Sequence, residues 1–261
     1  MQQLELSLNP AKKTSRPTYT KAQLIELWCA EPVFFASREL SDTYYTEGVI
    51  GNYALAYGFG WARSPYRLTG AATGRPTYIE DLSPLDCYVL PAWSDKVSFR
   101  FERFNALSDA YWYEMTNNRV ATSREDLPLK RTGKRPNTYR PSNFPQTGRL
   151  RAIERGNSFQ TIVFGKRELP EYIRLGKFMS KVRVRILKDL EIVSLPMGEY
   201  DSKTYLNSAD LPNINLLAFD LVNMPPVSLL KNLRFRGEAW QVGEFIVPAN
   251  LKFCGGDRNN G

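Results

Sequence analysis

Apolar and polar residues alternate along much of the chain with a period of two, which is typical of half-buried β-strands. Val97, Phe99 and Phe101, for example, alternate with Ser98 and Arg100. In a first strand over residues 23–28, the same pattern places Ile25, Leu27 and Cys29 on one face. Further strands are predicted over residues 158–164, 177–186, 192–195, 233–236 and 239–247, and an aromatic strand is predicted at the end of 105–115.

One early segment has the spacing of a helix instead. We predict a helix from Thr46 to Gly58, with Thr46 as its N-cap and Gly58 and Gly60 at its end. The stretch 63–84 is rich in Gly, Pro and Thr and is predicted to be a loop. An early helix between strands, followed by many antiparallel strands, indicates the α+β class. The predicted core is an RRM-like or ferredoxin-like antiparallel sheet with additional C-terminal strands. The apolar face of the helix consists of Val49, Ile50, Tyr53, Ala54 and Tyr57.

The length of 261 residues and a hydrophobic content of 43% fit one large folded domain. We place this domain at residues 19–255, between a polar N-terminal arm (1–18) and a C-terminal tail (256–261). A basic insertion at 116–151 interrupts it. Its part from 130 to 151 holds seven cations and no acid, together with several prolines and glycines, and is predicted to be a long irregular loop.

Composition excludes several kinds of chemistry. The chain contains no histidine, so Ser-His and Cys-His catalysis and His-based metal sites are excluded. Its three cysteines are far apart, so neither a disulfide framework nor a zinc site is indicated. There is no secretory signal and no apolar run of about 20 residues, so we expect a cytoplasmic protein without membrane contact. No cofactor is expected. The tryptophans, including Trp28, are interpreted as core or interface residues.

The net charge of +8 is concentrated in two places. The predicted strand 177–186 carries cations on one face, and isolated cations cannot be buried without large cost. This face therefore contacts either solvent or a polyanion, and because its own sequence contains no acid we favour backbone phosphates. One face consists of Lys177, Met179, Lys181, Arg183 and Arg185, and the other of Phe178, Ser180, Val182, Val184 and Ile186.

The second concentration is the basic loop 130–151, where Tyr139 and Phe144 lie among the cations. Aromatic side chains can stack on unpaired bases while Arg and Lys hold phosphates, which is typical of single-strand binding. The composition of this loop fits a disordered linker equally well.

Two blocks of sequence resemble a known family. The first is Phe34-Phe35-Ala36-Ser37-Arg38-Glu39, followed by Tyr45-Thr46-Glu47 and by a helix with Asn52-Tyr53-Ala54-Leu55-Ala56-Tyr57. The second is the stretch 174–184, from Arg174-Leu175-Gly176 to Val184. Together they resemble the type I-D branch of the fifth Cas protein family, a subunit of the CRISPR surveillance complex Cascade. The resemblance extends from about Lys21 to about Phe253.

This resemblance implies an RRM-like core and a role without catalysis. Members of the family bind the 5′ handle of CRISPR RNA and cap a backbone filament of seventh-family Cas subunits. They also contact a large subunit resembling the tenth Cas family, near the protospacer-adjacent motif of the target double-stranded DNA. A thumb-like hairpin touches the RNA where the handle meets the guide.

The resemblance also suggests which residues bind nucleic acid. It places Ser37, Arg38, Lys177, Ser180 and Lys181 nearest the handle, and the charge pattern adds Arg183 and Arg185. The thumb candidates are Lys134, Arg135, Tyr139 and Arg140, and the candidates for contact with target DNA are Arg63, Arg67 and Arg75.

Two other functions stay open from the sequence. One is a metal-independent endoribonuclease that processes precursor CRISPR RNA with Lys or Tyr as acid or base. The other is a ribosomal or other RNA-associated module.

Overall fold

The structure is a computed structural model that describes residues 19–40, 43–62, 78–105 and 147–253. These residues form two short helices, α1 (Asn52–Gly58) and α2 (Tyr78–Leu82), and three sheets. Their strands are β1 (Ala22–Cys29), β2 (Arg38–Leu40), β3 (Thr43–Tyr45), β4 (Tyr88–Val89), β5 (Phe99–Asn105), β6 (Thr147–Ile153), β7 (Ser158–Phe164), β8 (Tyr172–Leu175), β9 (Ser180–Leu190), β10 (Ile192–Ser202), β11 (Leu206–Asn207), β12 (Asn215–Val222), β13 (Leu229–Val242) and β14 (Phe245–Pro248).

The first sheet has β1 at its centre, in the order β4-β7-β1-β9-β8. All of its strand pairs are antiparallel, and Leu27 lies opposite Phe159 on one side and Val184 on the other. Ile25, Leu27 and Cys29 are fully buried on the inner face, which confirms the face predicted for β1. Helix α1 packs against β4 and β8.

The second sheet is built around the 14-residue strand β13, which pairs with β10, β11, β12 and β14. The separate strands predicted at 233–236 and 239–247 are therefore one long strand followed by β14. Gly237 and Glu238, which lie between the two predicted strands, belong to β13, and Gly237 lies opposite Gly198 within the β10 pairing. Strand β10 continues well beyond the predicted 192–195.

The third sheet has the order β2-β3-β6-β5, and β3–β6 is the parallel pair in it. Residues 147–151 were predicted to belong to the irregular loop, and that part of the prediction is wrong because they lie in β6. Gly148, Leu150 and Ala152 are buried and alternate with arginines. This period of two was hidden by the basic composition of the segment.

The predicted start of the helix is also wrong. Thr46 does not cap α1, because its hydroxyl accepts a hydrogen bond from the Phe35 amide (3.0 Å) and donates one to the Phe35 carbonyl (2.8 Å). Ile50 forms a β-bridge with Ala92, and α1 begins only at Asn52. Its end at Gly58 agrees with the prediction.

Helix α2 lies within the stretch that was predicted to be a loop. It is held by two buried residues, Leu82 and Asp81. The Asp81 carboxylate accepts a hydrogen bond from the Tyr57 hydroxyl of α1 (2.6 Å), so α2 is fixed by a tertiary contact that its own sequence does not reveal.

One hydrophobic core connects the three sheets. It includes Leu27 of the first sheet, Trp240 of the second and Ile153 of the third, all nearly fully buried. The Tyr19 ring lies 5.7 Å from Trp240 and 5.6 Å from Phe164, and its hydroxyl donates to the Leu251 carbonyl. No helix of the described ranges is long and apolar enough to cross a membrane.

The architecture is α+β, with mostly antiparallel sheets and few helices, as predicted. Within the first sheet, β1 lies next to β9, and β9 pairs with β8. The other neighbour of β1, however, is β7, which precedes the β8–β9 hairpin in the chain, and β10, the strand that follows β9, belongs to the second sheet.

The turn between β8 and β9 is fixed by a close backbone approach. Gly176 has a φ of 74°, and a Cβ added to it would lie 2.5 Å from the Phe34 carbonyl oxygen. Glycine is required here both for its conformation and for the lack of a side chain. The close contact joins the turn to the segment that follows β1.

We predict that Gly176→Ala destabilises the protein more than Gly60→Ala does. Gly60 has the same φ of 74°, but no described heavy atom lies within 4 Å of its Cβ position. Gly60→Ala should lower the free energy of unfolding by about 1–2 kcal/mol, because alanine disfavours the left-handed conformation. Gly176→Ala should lower the free energy of unfolding by about 1–3 kcal/mol more, because the added methyl group would overpack against Phe34. Urea unfolding of both variants measures the difference, and equal decreases in stability would contradict the close approach.

Candidate nucleic-acid interface

The two blocks that carry the family resemblance meet in space. The Lys177 amide donates to the Phe34 carbonyl (2.9 Å), and the Ser180 hydroxyl donates to the Pro32 carbonyl (2.6 Å). The Lys181 amide donates to the Glu31 carboxylate (2.6 Å). We call the region formed by residues 30–38, the turn 176–179 and the outer faces of β1, β8 and β9 the basic surface.

The turn 176–179 changes the predicted faces of the second block. Strand β9 starts only at Ser180, so Lys177 and Met179 lie in the turn and not on the strand. Phe178 was predicted to share the buried face, and this is wrong, because its side chain is 54% exposed and stacks on Phe34 with 5.3 Å between ring centroids. Ile186 is likewise half exposed.

From Ser180 to Arg185 the predicted alternation is confirmed. Val182 and Val184 are buried with Ser180, whereas Arg183 and Arg185 are exposed and Lys181 is half-buried. The residues predicted to contact RNA on this strand therefore divide into an inner serine and three outer cations.

The two serines that were predicted to lie nearest the RNA form hydrogen bonds within the protein instead. Ser37 and Ser180 are both buried, and the Ser37 hydroxyl accepts a hydrogen bond from the Glu47 amide (3.2 Å). Their hydroxyls hold the segment after β1 in place. Arg38 is exposed at the edge of the basic surface and forms an ion pair with Glu47.

Carboxylates lie close to several cations of the basic surface and form ion pairs with them. Arg183 lies 3.6 Å from Glu171, and Arg185 lies 2.7 Å from Glu26. The strand itself carries no acid on this face, but the neighbouring strand and the chain before β8 supply them, which the sequence pattern could not show. The group contains four cations and three carboxylates, namely Arg174, Lys181, Arg183 and Arg185 with Glu26, Glu31 and Glu171.

Two aromatic residues of the basic surface were missed by the sequence analysis. Trp28 is 44% exposed and Tyr172 is 42% exposed, so of the two interpretations of Trp28, core or interface residue, the structure excludes the core. The alternation of β1 contained the signal, since Trp28 lies between the buried Leu27 and Cys29 and must point to the opposite face. Tyr172 had no comparable signal, because β8 was not predicted.

The remaining predicted site residues lie outside the described residues. They are the thumb candidates Lys134, Arg135, Tyr139 and Arg140 and the DNA candidates Arg63, Arg67 and Arg75.

The described cysteines are poor nucleophiles. Burial raises the pKa of the Cys29 thiol to about 12 and that of Cys87 to about 11. Both thiols are therefore protonated at neutral pH, and thiolates are the reactive form. No group of three or more potential metal-ligating side chains is positioned to hold a metal ion within the described part of the chain.

The buried tyrosines belong to the internal support of the fold. Asp210 is 1% exposed and accepts hydrogen bonds from Asn52 (2.6 Å), Tyr53 (2.8 Å) and Tyr88 (3.1 Å). Burial, followed by the charge of Asp210, raises the pKa of Tyr88 well above its ordinary value. This network links α1 and β4 to the segment after β11, away from solvent.

A comparison of the chain with models of known protein families identifies its family. The family model described as type I-D CRISPR-associated protein Cas5/Csc1 matches residues 20–256. A comparison with curated protein sequences gave no match. Members of the matched family are subunits of the type I-D Cascade complex in CRISPR-Cas antiviral defence. Because the match covers nearly the whole chain, including both blocks that meet at the basic surface, the chain belongs to the type I-D Cas5/Csc1 family.

Proposed function

We propose that the chain binds the 5′ handle of CRISPR RNA at the basic surface and does not cleave it. The observation that carries this proposal is the meeting of the two family blocks at the Gly176 turn, directly beside the exposed arginines of β9. In this proposal the first sheet serves as an RRM-like platform, and residues 30–38 with the turn 176–179 form its rim.

The ion pairs of the basic surface are compatible with phosphate binding. Arg183 and its partner Glu171 are both more than half exposed, whereas exposed Arg185 is paired with Glu26, which is 22% exposed. An exposed pair such as Arg183–Glu171 contributes only about 0–1 kcal/mol. A phosphate can therefore join or replace the carboxylate at little cost, and arginine offers enough donors to contact both.

Other roles follow from family membership. We propose that the insertion 116–151, through Lys134, Arg135, Tyr139 and Arg140, contacts the RNA where handle meets guide. Arg63, Arg67 and Arg75 are proposed to contact the target DNA duplex near the protospacer-adjacent motif. The chain caps the backbone filament of seventh-family Cas subunits and contacts the large subunit in this proposal.

An apolar edge of the second sheet is the proposed docking surface for a protein subunit. Strand β12 pairs with β13 and with no other strand among the described residues. Exposed apolar strands at a sheet edge favour association with another chain. The exposed apolar side chains of β12 are Leu216, Leu217, Phe219 and Leu221.

We predict that the double variant Arg183→Gln/Arg185→Gln weakens handle RNA binding and flattens its salt dependence. The logarithmic salt slope should fall by about 0.7 for each phosphate that the variant no longer neutralises. Fluorescence anisotropy of the purified chain with repeat-derived RNA over a salt series measures both effects.

The matched control is Arg234→Gln/Arg236→Gln on the second sheet. These arginines are similarly exposed (56% and 61%, against 52% and 62%) and are also paired with a glutamate, Glu199. The control should keep the wild-type slope. Equal slopes for the wild type and both variants would count against the basic surface as the RNA site.

The absence of cleavage is a separate prediction. Repeat RNA incubated with the purified chain in EDTA should stay intact, because the proposed contacts only hold the RNA. Gel analysis of labelled RNA checks this result. Site-specific cleavage that one Lys or Tyr substitution abolishes would favour the endoribonuclease instead.

A docking prediction concerns β12. Phe219→Ser/Leu221→Ser should reduce co-purification with co-expressed Cascade protein subunits while leaving RNA affinity of the chain unchanged, since β12 lies in the second sheet. Phe101→Ser is the control, because Phe101 is 63% exposed on the third sheet. Full co-purification of the β12 variant would exclude this edge as the docking surface.

A further inference from the structure

Trp28 and Tyr172 lie in one row across the outer face of the first sheet. The strand register places Trp28 opposite Arg183 and Arg183 opposite Tyr172, so the arginine stands between the two aromatic residues. Residues directly opposite each other in antiparallel strands point to the same face. The row therefore presents aromatic, cationic and aromatic side chains in sequence, and the rim at residues 176–179 follows within the same β8–β9 hairpin.

Both aromatic residues are exposed to solvent although large aromatic side chains are usually mostly buried. Among the tryptophans that the structure describes, Trp28 is exposed, Trp93 is partly buried, and Trp61 and Trp240 are buried. The Lys181 ammonium lies 4.1 Å from the centroid of the Tyr172 ring, so a cation already contacts the π-system. The ring is still 42% exposed beside that contact.

The chemistry of the row favours single-stranded RNA over a protein partner. Flat aromatic rings stack on nucleobases, and a guanidinium between them can stack on a base or hold a phosphate. Arg, Trp and Tyr are also common at protein interfaces, but lysine is depleted there. Here Lys181 lies against the Tyr172 ring, and Lys181 and Arg185 share the strand face with Arg183.

We propose that Trp28 and Tyr172 form a stacking platform for unpaired bases of the bound RNA, with Arg183 between them. This deepens the proposed function and rests on it. Stacking is tolerant of base identity, because every base has a π-face. The platform thus contributes affinity for unpaired RNA that does not depend on salt, beside the salt-dependent contribution of the arginines.

The test compares the handle RNA with the same backbone carrying abasic sites in place of bases. An unrelated RNA and the matching single-stranded DNA, both of equal length, are measured beside them. For the purified chain, Trp28→Leu and Tyr172→Leu should each weaken binding of the handle RNA about 5- to 100-fold. Binding of the abasic RNA and the salt slope should not change. Leucine keeps apolar bulk at both positions. Phe101→Leu, at a 63% exposed aromatic residue of the third sheet, is the control and should bind both RNAs like the wild type.

Each contrary outcome has a distinct meaning. Unchanged affinity for the handle RNA, or an equal decrease in affinity for the abasic RNA, would overturn the platform and leave the proposed function intact. Base-dependent binding without preference for the handle over unrelated RNA would overturn the proposed function and leave the platform. Tighter binding of matching single-stranded DNA, or loss of a protein subunit with RNA affinity retained, would assign the row to another partner and overturn the inference.

Discussion

The contact between the backbones of Gly176 and Phe34 is the constraint on which the basic surface depends. A glycine with φ of 74° lets the β8–β9 turn lie directly against the segment after β1, where any side chain would clash. Hydrogen bonds at Lys177, Ser180 and Lys181 then secure the same junction. Because the two segments are separated by about 140 residues in the chain, only the fold brings them together.

The electrostatics of this surface differ from those suggested by net charge. The chain carries a net charge of +8, but four cations and three carboxylates leave the group on the first sheet nearly neutral. Much of the excess charge belongs to the segment 130–151, of which the structure describes only the part in β6. A polyanion on the first sheet therefore gains less from bulk charge than from arginines held in position by their glutamates.

Periodicity predicted the parts of the fold in which one strand face is buried. The inner residues of β1 follow directly from alternation, as does the division of β9 after Ser180. One failure occurs where a turn interrupts the alternation. Phe178 was assigned to the wrong face because it lies in the β8–β9 turn, in which Gly176 and Met179 have left-handed backbones, and not on β9.

The candidate site was less predictable than the fold, for a physical reason. Its charges are balanced by residues from other strands, and cross-strand neighbours cannot be read from one strand's sequence. Glu26 and Arg185 are 159 positions apart and Trp28 and Tyr172 are 144 apart, yet each pair belongs to one face. The alternation of β1 predicts that Trp28 points away from the core. Its proposed role as a base contact becomes apparent only in the structure, where β8 and β9 place Tyr172 and Arg183 beside it.

In the proposed RNA site, charge and stacking act on the RNA in different ways, and the first sheet would combine them. Contacts with phosphates weaken as salt rises, because counterions compete for the same charge, whereas stacking on an aromatic ring depends on the bases being unpaired. A surface with both properties discriminates an unpaired RNA end from a duplex, whose bases are inaccessible, without reading any particular base. Recognition of a handle of fixed sequence then requires further contacts, and the rim formed by Phe34 and Phe178, where an exposed ring already stacks on a buried one, is the nearest place for them.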